Sequence, residues 1–441
     1  MHSLNRFASF LIFLILPLQS ISQNADRSFN SMIQRHKIPL DDQSSLDTLI
    51  KTASGKKVVL LGEASHGTSE FYSWRDSVTR RLIAEVGYNF VLVEGDWATL
   101  FQLNRYVKGK SDLETATDVV RQFDRWPDWM WRNEEVVALA EWMKAFNQNR
   151  EPHQMAGFYG MDVYDEWNSY DEIMAFLAGY DLELHQAITG FYNCMAVFGR
   201  DSWQYAGATA RGYTSCAPKL RDAFNLLGEK LQADEELHPY DILYIMQNAR
   251  VLKNAERFFR KSMSDKSASW NSRVEHMFHT LLSLLNFHGD DSKAIVWAHN
   301  THIGDARYTT MNLQNQVNSG QLSRQHFGED NVLLIGFGTY SGAVTAGRQW
   351  GHSMLELPLP EAMPGSLEQK LKAASEGDFI LIMNPEIRQH QFFKSPIGHR
   401  AVGVVYNPEQ EQLGNYVPTV AGLRYDVFIF IAETSSLRYV D

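Results

Sequence analysis

The 441-residue sequence predicts an α/β fold: a three-layer core with a mostly parallel sheet flanked by helices, plus a large helical insertion or cap. Two observations carry this reading. Apolar runs bounded by Gly, Asn, Asp or Pro recur along the chain as "KKVVLLGE", "NFVLVEGDW", "MAGFYGMDV", "KAIVWAHN", "NVLLIGFGT", "DFILIMNP", "AVGVVYNP" and "YDVFIFIAE". Several are rich in Val and Ile with little alternation, as in strands buried on both faces of a parallel sheet. Between the runs lie long stretches with apolar residues at helical spacing.

Taken in order, "VVLL" is the first buried strand and residues 69–86 the first helix, with Phe71, Trp74, Val78 and Leu82 on one face and Gly87 as its stop. The next strand, "FVLVE", completes a βαβ unit whose crossover is expected to be right-handed. Residues 133–147 repeat Val136, Ala140, Met143 and Phe146 at helical spacing, and about 167–287 is almost wholly helical before strands resume. That block is read as an insertion or cap on a single domain spanning 23–441. Residues 1–22 read as a signal peptide: Arg6 precedes an apolar stretch of about a dozen residues, well short of the roughly 20 that cross a bilayer, and Ser20-Ile21-Ser22 fits a cleavage site. The protein is therefore expected to be exported, periplasmic or secreted, with no stable membrane insertion after cleavage.

The formal net charge of −11 and the lack of a long basic run argue against nucleic acid, whose phosphates demand clustered Lys and Arg. A small-molecule substrate is expected instead. Cys194 and Cys216 are not in a C-x-x-C pattern, and the sequence leaves open whether they pair.

The chemistry sits where strands end. Glu63 and His66 follow the first strand in "VVLLGEASHGT", Glu94 ends "FVLVE", and His299 and His302 follow "AIVW" in "WAHNTHIGDAR". Ligands of open α/β sheets bind outside the carboxyl ends of the strands. If these strands run parallel, the five side chains meet at one edge. A histidine partnered by a carboxylate is a general base near neutral pH. No G-x-S-x-G elbow is present, and Ser65 is a poor nucleophile candidate beside His66, so attack by activated water fits better. A His/carboxylate metal site is the rival reading, without an H-E-x-x-H motif to support it. It opens two alternatives: a metal- or haem-binding periplasmic protein, or a metal-dependent phosphoesterase. Trp126, Trp129 and Trp131 in "DRWPDWMWRN" wall a cleft or fill the core, and His276 and His279 read as core-adjacent or surface residues.

Together, "GEASHGTSEFYSWR", "VEGDW", "WPDWMWRN", "GFYGMDVY", "WNSRVEHMF", "WAHNTHIGDAR" and "VLLIGFGTYSG" resemble the erythromycin esterase family from about Val58 to the C-terminus. One departure is Val274 after Arg273, where the family often carries Asp. The resemblance implies an α/β core with a large helical portion and hydrolysis of a macrolide ring ester by activated water, with no covalent acyl-enzyme, no metal and no cofactor. It implies that Glu63, His66, Arg75, Glu94, His299 and His302 are the essential residues. His66 is the expected base, with Glu63 and Glu94 orienting it or the water. His299 and His302 are expected to position substrate and protonate the departing alkoxide, and Arg75 to help bind the oxyanion. Phe71, Trp97, Trp126 and Arg273, within the same motifs, are the expected substrate-binding residues.

Overall fold

A computed structural model describes residues 26–441; the signal-peptide reading of 1–22 lies outside them. Among the described residues there are eleven strands: β1 (Ile38–Pro39), β2 (Val58–Leu61), β3 (Phe90–Asp96), β4 (Gly157–Asp162), β5 (Ala294–Trp297), β6 (Val332–Gly347), β7 (Met354–Leu359), β8 (Phe379–Ile382), β9 (Ile397–Arg400), β10 (Tyr416–Thr419) and β11 (Val427–Thr434). β9 and β10 pair as a separate antiparallel sheet. The other nine form one sheet in the order β1-β8-β11-β6-β2-β5-β3-β4, with β7 hung on β6. From β11 to β4 every neighbouring pair is parallel. β1, β7 and β8 run antiparallel to their neighbours.

The strand residues divide between two cores with a period of two, as successive side chains must. Val58, Leu60, Phe90, Leu92, Ala294, Val296, Val332 and Leu334 enter one core. Val59, Leu61, Val91, Val93, Ile295, Trp297, Leu333 and Ile335 enter the other. This explains why the runs show no alternation of polarity: both faces are covered. Each Val, Leu or Ile so buried stabilises the fold by about 1.5–3 kcal/mol relative to exposure.

On the second face lie α1 (Ser69–Arg81) and α3 (Glu134–Asn147), and α2 (Trp97–Val107) contributes to both cores. α1 continues as a π-turn over Leu82–Val86 and stops at Gly87, whose φ of 80° is left-handed. α3 begins at Asn133, whose side chain accepts the Val136 N–H at 2.9 Å and satisfies one of the helix's free donors. On the first face the helical block resolves into α4 (Glu166–Tyr180), α5 (Leu182–Ala196), α6 (Ser202–Ala210), α7 (Ala217–Gln232), α8 (Pro239–Ser262) and α9 (Lys266–His288). Their apolar faces share one core with the sheet. Cys194 and Cys216 form a disulfide across a Cα–Cα distance of 6.0 Å, tying the end of α5 to the start of α7. No helix among the described residues is long and apolar enough to cross a membrane.

One expected strand is not there. "AVGVVYNP" (401–408) forms only isolated bridges, Ser65 with Val402 and Gly347 with Val405. Val402 donates to the Ala64 carbonyl at 2.8 Å, and Gly347 to the Val404 carbonyl at 2.9 Å. The segment lies against the turn that follows β2, so its apolar residues are satisfied without joining a ladder.

Candidate active site

The turn after β2 is drawn tight by contacts that exclude side chains. A Cβ on Gly62 would overlap the Asn300 side chain, and one on Gly67 the backbone of Thr345. Gly67 instead accepts N–H bonds from Thr345 at 2.9 Å and Leu437 at 3.1 Å. The turn is thereby fixed to β6 and to the C-terminal segment, with Glu63 and His66 held beneath the cleft.

Parallel pairing puts the carboxyl ends of β2, β5, β3 and β4 side by side. They deliver Glu63 and His66, His299 and His302, Glu94, and Asp162 in turn. All six are buried. The expected convergence of five residues is therefore present, with Asp162 as a sixth member. Asp162 ends "GFYGMD" just as Glu94 ends "FVLVE", a signal the sequence reading left unused.

Two layers can be distinguished. In the deeper one, His66 Nδ1 lies 2.8 Å from Glu63 Oε1, and Glu63 Oε2 lies 2.7 Å from Arg75 Nη2. Glu63 accepts the Nδ1 proton, which leaves Nε2 as the free base position. Arg75 has no exposed surface, and its guanidinium is 4.3 Å from the Tyr72 ring and 4.7 Å from that of Trp297. Arg75 does not line the cavity; Glu63 and His66 separate it from substrate. The expected oxyanion contact is therefore not made there; Arg75 pairs with the Glu63 carboxylate instead. From α1, nine residues after His66, Arg75 returns to the turn from beneath it.

In the outer layer Glu94 is the hub. Its Oε1 is 3.1 Å from His302 Nε2 and 2.9 Å from Arg273 Nη2, and its Oε2 accepts the His299 backbone N–H at 2.9 Å. Arg273, from α9, also grips Asp162 through two contacts of 2.8 and 2.5 Å. Trp270, one turn earlier on α9, stacks on His302 at 4.6 Å. Burial alone would raise the Glu94 pKa, but His302, Arg273 and His66 hold it well below the usual carboxylate range. Burial likewise opposes ionisation of Asp162, and Arg273 outweighs it, so this carboxyl also stays below its ordinary value.

His66 and His299 face each other with ring centroids 4.9 Å apart, yet their surroundings drive them in opposite directions. Burial lowers the affinity of His66 for a proton, but the Glu63 hydrogen bond and the charges of Glu63 and Glu94 prevail, and its pKa lies above the ordinary value. Burial and then the charge of His66 hold His299 well below its ordinary value, so it is neutral. His299 Nδ1 lies 3.2 Å from the Thr301 backbone nitrogen and 2.9 Å from the Thr301 hydroxyl; a ring that accepts both hydrogen bonds carries its single proton on Nε2. Nε2 is buried without a hydrogen bond of ordinary geometry among the described residues, and the Ala64 backbone is the polar group acting on the ring besides the neighbouring charges. Two imidazoles at close quarters are thus driven to opposite proton affinities, the arrangement from which separate acid and base roles can arise.

The cavity over these groups has a volume of about 330 Å³ and is walled by Trp131, Tyr164, Trp270 and Trp350, with Arg125 and Asp96, 3.1 Å apart, also in its lining. Burial, with Asp165 and Asp162 nearby and only Arg125 opposing, pushes the Asp96 carboxyl up to about 8. Among the expected substrate-binding residues, Arg273 lines the cavity. Phe71 and Trp97 do not: Phe71 packs on Phe337, and Trp97 stacks on Tyr159 at 5.7 Å inside the core. Their helical faces turn toward the sheet. Trp126 is also outside the lining, 4.6 Å from Trp350, which is part of it, and Trp129 is core. Ser65 is fully buried and bonded to Thr68, away from the cavity lining. His276 is core-adjacent as expected, with Nε2 at 3.1 Å from the Asp162 carbonyl. Among the described residues, no three carboxylate, imidazole or thiol groups gather as a metal-binding set. Tyr164, Trp270 and Arg125 lie inside "GFYGMDVY", "WNSRVEHMF" and "DRWPDWMWRN" but are not singled out there, and Trp350 lies in none of the quoted motifs.

Comparison with known proteins agrees with this architecture. The profile of the family described as "Erythromycin esterase" matches residues 83–434. That span contains Glu94, Arg273, His299 and His302, and begins after Glu63, His66 and Arg75. The putative hydrolase YbfO of Bacillus subtilis (strain 168) is 22% identical over 401 residues, covering 82% of this chain and 84% of its own. Erythromycin esterase type II of Escherichia coli is 21% identical over 369 residues, covering 78% and 85%. A solved mutant of the erythromycin esterase EreC, in its open conformation, superposes with a TM-score of 0.65 at 15% identity, over 91% of this chain and 96% of that one. The chain belongs to the erythromycin esterase family, whose fold it has.

Proposed function

We propose that the protein opens a lactone or carboxylic ester, with macrolides as the substrate class, by direct attack of a water activated by His66. The observation that carries this is the pair of imidazoles 4.9 Å apart with opposite proton affinities. In this reading His66 Nε2 removes a proton from water as the oxygen attacks the ester carbon. The oxyanion takes the proton-bearing Nε2 of His299 as its hydrogen-bond donor. The imidazolium of His66, stabilised by Glu63, returns its proton to the departing alkoxide, so one water is consumed and no acyl-enzyme forms. Glu94, tied to His302, Arg273 and the His299 backbone, fixes the second imidazole pair. A cavity of about 330 Å³ is at the small end of ligand sites, so it takes the ester-bearing edge of a macrolide while the remainder rests on the Trp126–Trp350 rim. We read the protein as exported; the Cys194–Cys216 disulfide supports this, because disulfides persist in oxidising compartments.

The test is incubation of the protein with a panel of macrolides, read by mass spectrometry as the gain of one water. His66→Ala is expected to abolish that gain while leaving the fold intact. No product from any macrolide or simple lactone sinks the reading. Activity that a chelator removes and a divalent metal restores transfers the site to the metal-dependent alternative.

A further inference from the structure

The helical block carries a second concavity that shares no lining residue with the active site. It lies between α7, α8 and α9 and encloses about 820 Å³. Its charge is opposite to that of the molecule. The chain carries −11 overall, yet Arg221, Arg250, Lys253, Arg257 and Arg260 line this groove against only Glu256 and Glu275. Both carboxylates are already engaged: Glu256 with Arg260 at 2.7 Å and Tyr205 at 2.6 Å, and Glu275 with Arg257 at 2.7 Å. Arg250 and Lys253 have no carboxylate partner among the described residues. Arg250 donates to Gln247 at 2.9 Å and to Ser283, which holds its guanidinium in place without neutralising it. Lys253 lies 4.0 Å from the centroid of the Phe224 ring.

The spacing explains how the groove forms. Arg250, Lys253 and Arg257 stand three and four residues apart on one face of α8, and His279, Ser283 and Asn286 do the same on the facing side of α9. Hydroxyl, amide and imidazole groups therefore oppose a row of cations, with Phe224 and Leu282 supplying an apolar wall. Burial and then Arg250, Lys253 and Arg257 depress the pKa of His279, with Glu275 the one charge acting the other way, as an uncompensated positive field requires. Packed cations that repel one another persist at a cost which an anion removes.

We infer that this groove binds a soluble organic phosphate or sulfate monoester, its oxyanion taken by Arg250 and Lys253 and its apolar part resting on Phe224 and Leu282. Charge-assisted donors on a fixed guanidinium recognise such a group more strongly than neutral ones.

Calorimetric titration of the full chain with inorganic phosphate and with phenyl phosphate, at constant ionic strength, tests this. Saturable binding of both is expected, tighter for phenyl phosphate. The His279 pKa, followed by NMR, should rise on saturation. Arg250→Gln and Lys253→Met should each weaken binding by roughly tenfold, the loss of one charge-assisted contact. Because Arg250 is partly buried, the more accessible Lys253→Met keeps the test valid if the first variant folds poorly. No saturable binding, or unchanged affinity in a folded Lys253→Met, overturns the inference. Vesicles of phosphatidylcholine with phosphatidic acid form a parallel arm. Binding to them that phenyl phosphate does not displace also overturns it, in favour of a lipid headgroup.

Discussion

Replacing Glu63 with Gln probes the deeper layer of the site with almost no change in shape. The carboxylate meets two groups at once: it accepts the His66 Nδ1–H at 2.8 Å and pairs by charge with the Arg75 guanidinium at 2.7 Å. An amide has one oxygen and one NH₂, so it serves only one of them. The guanidinium is permanently charged, has no exposed surface and has no other carboxylate partner among the described residues, so the amide oxygen turns toward Arg75. The NH₂ then points at His66 Nδ1 and forces it to accept, which moves the ring proton onto Nε2. The base position is thereby occupied by the proton it should receive. A tautomer reversal of this kind in a His–carboxylate pair lowers kcat by about 10⁴, equivalent to roughly 5 kcal/mol of transition-state stabilisation. KM should change little, because Glu63 is not among the residues lining the cavity. The assay is steady-state hydrolysis of the best macrolide found in the panel, with ¹⁵N NMR of the imidazoles reporting the tautomer. A Glu63→Gln enzyme within tenfold of the parent kcat, or one whose His66 keeps its proton on Nδ1, refutes the relay.

Four other outcomes are expected. Because the His66 pKa is raised and the neutral ring is the base, kcat/KM should increase with pH through a value above the ordinary 6.5, and His66→Ala should remove that limb from the profile. The stabilising effect of the same pair runs the other way: it is complete below the unfolded pKa and is lost as pH rises through the folded one, which thermal melts across that window will show. Arg75→Met leaves Glu63 buried beside an uncharged side chain and should cost about 3–5 kcal/mol in chemical denaturation. Asp96 has a folded pKa of about 8, above its unfolded value, so it binds its proton more tightly in the native state and disfavours folding progressively as pH rises toward 8. Asp96→Asn should therefore raise Tm at pH 9 and change it little at acidic pH.

Much of the fold was legible because burial on both sides leaves an unmistakable trace: "VVLL", "FVLV" and "AIVW" have no polar face to confuse the reading. The shared edge followed from the parallel order of those strands. What periodicity does not carry is the identity of the neighbour. Phe71 and Trp97 occupy helix faces turned to the sheet, and nothing local distinguishes that from a face turned to a ligand. Arg75 was found by its motif, yet its side of the turn depends on Tyr72 and Trp297 packing around the guanidinium. The 401–408 run reads as a strand because its composition is that of one; only the position of Ala64 and Gly347 draws it over the cleft.

The candidate site groups follow the ends of adjacent rungs, β2, β5, β3 and β4, so their mutual distances are inherited from hydrogen-bond spacing of about 4.8 Å between strands. Evolution or an engineer can hardly retune those distances without undoing the ladder. Trp126, Trp350 and the 401–404 stretch are free of that constraint, since they belong to connections at the mouth. Selectivity in this scaffold is therefore a property to be redesigned at the entrance, with the reactive centre carried along unchanged.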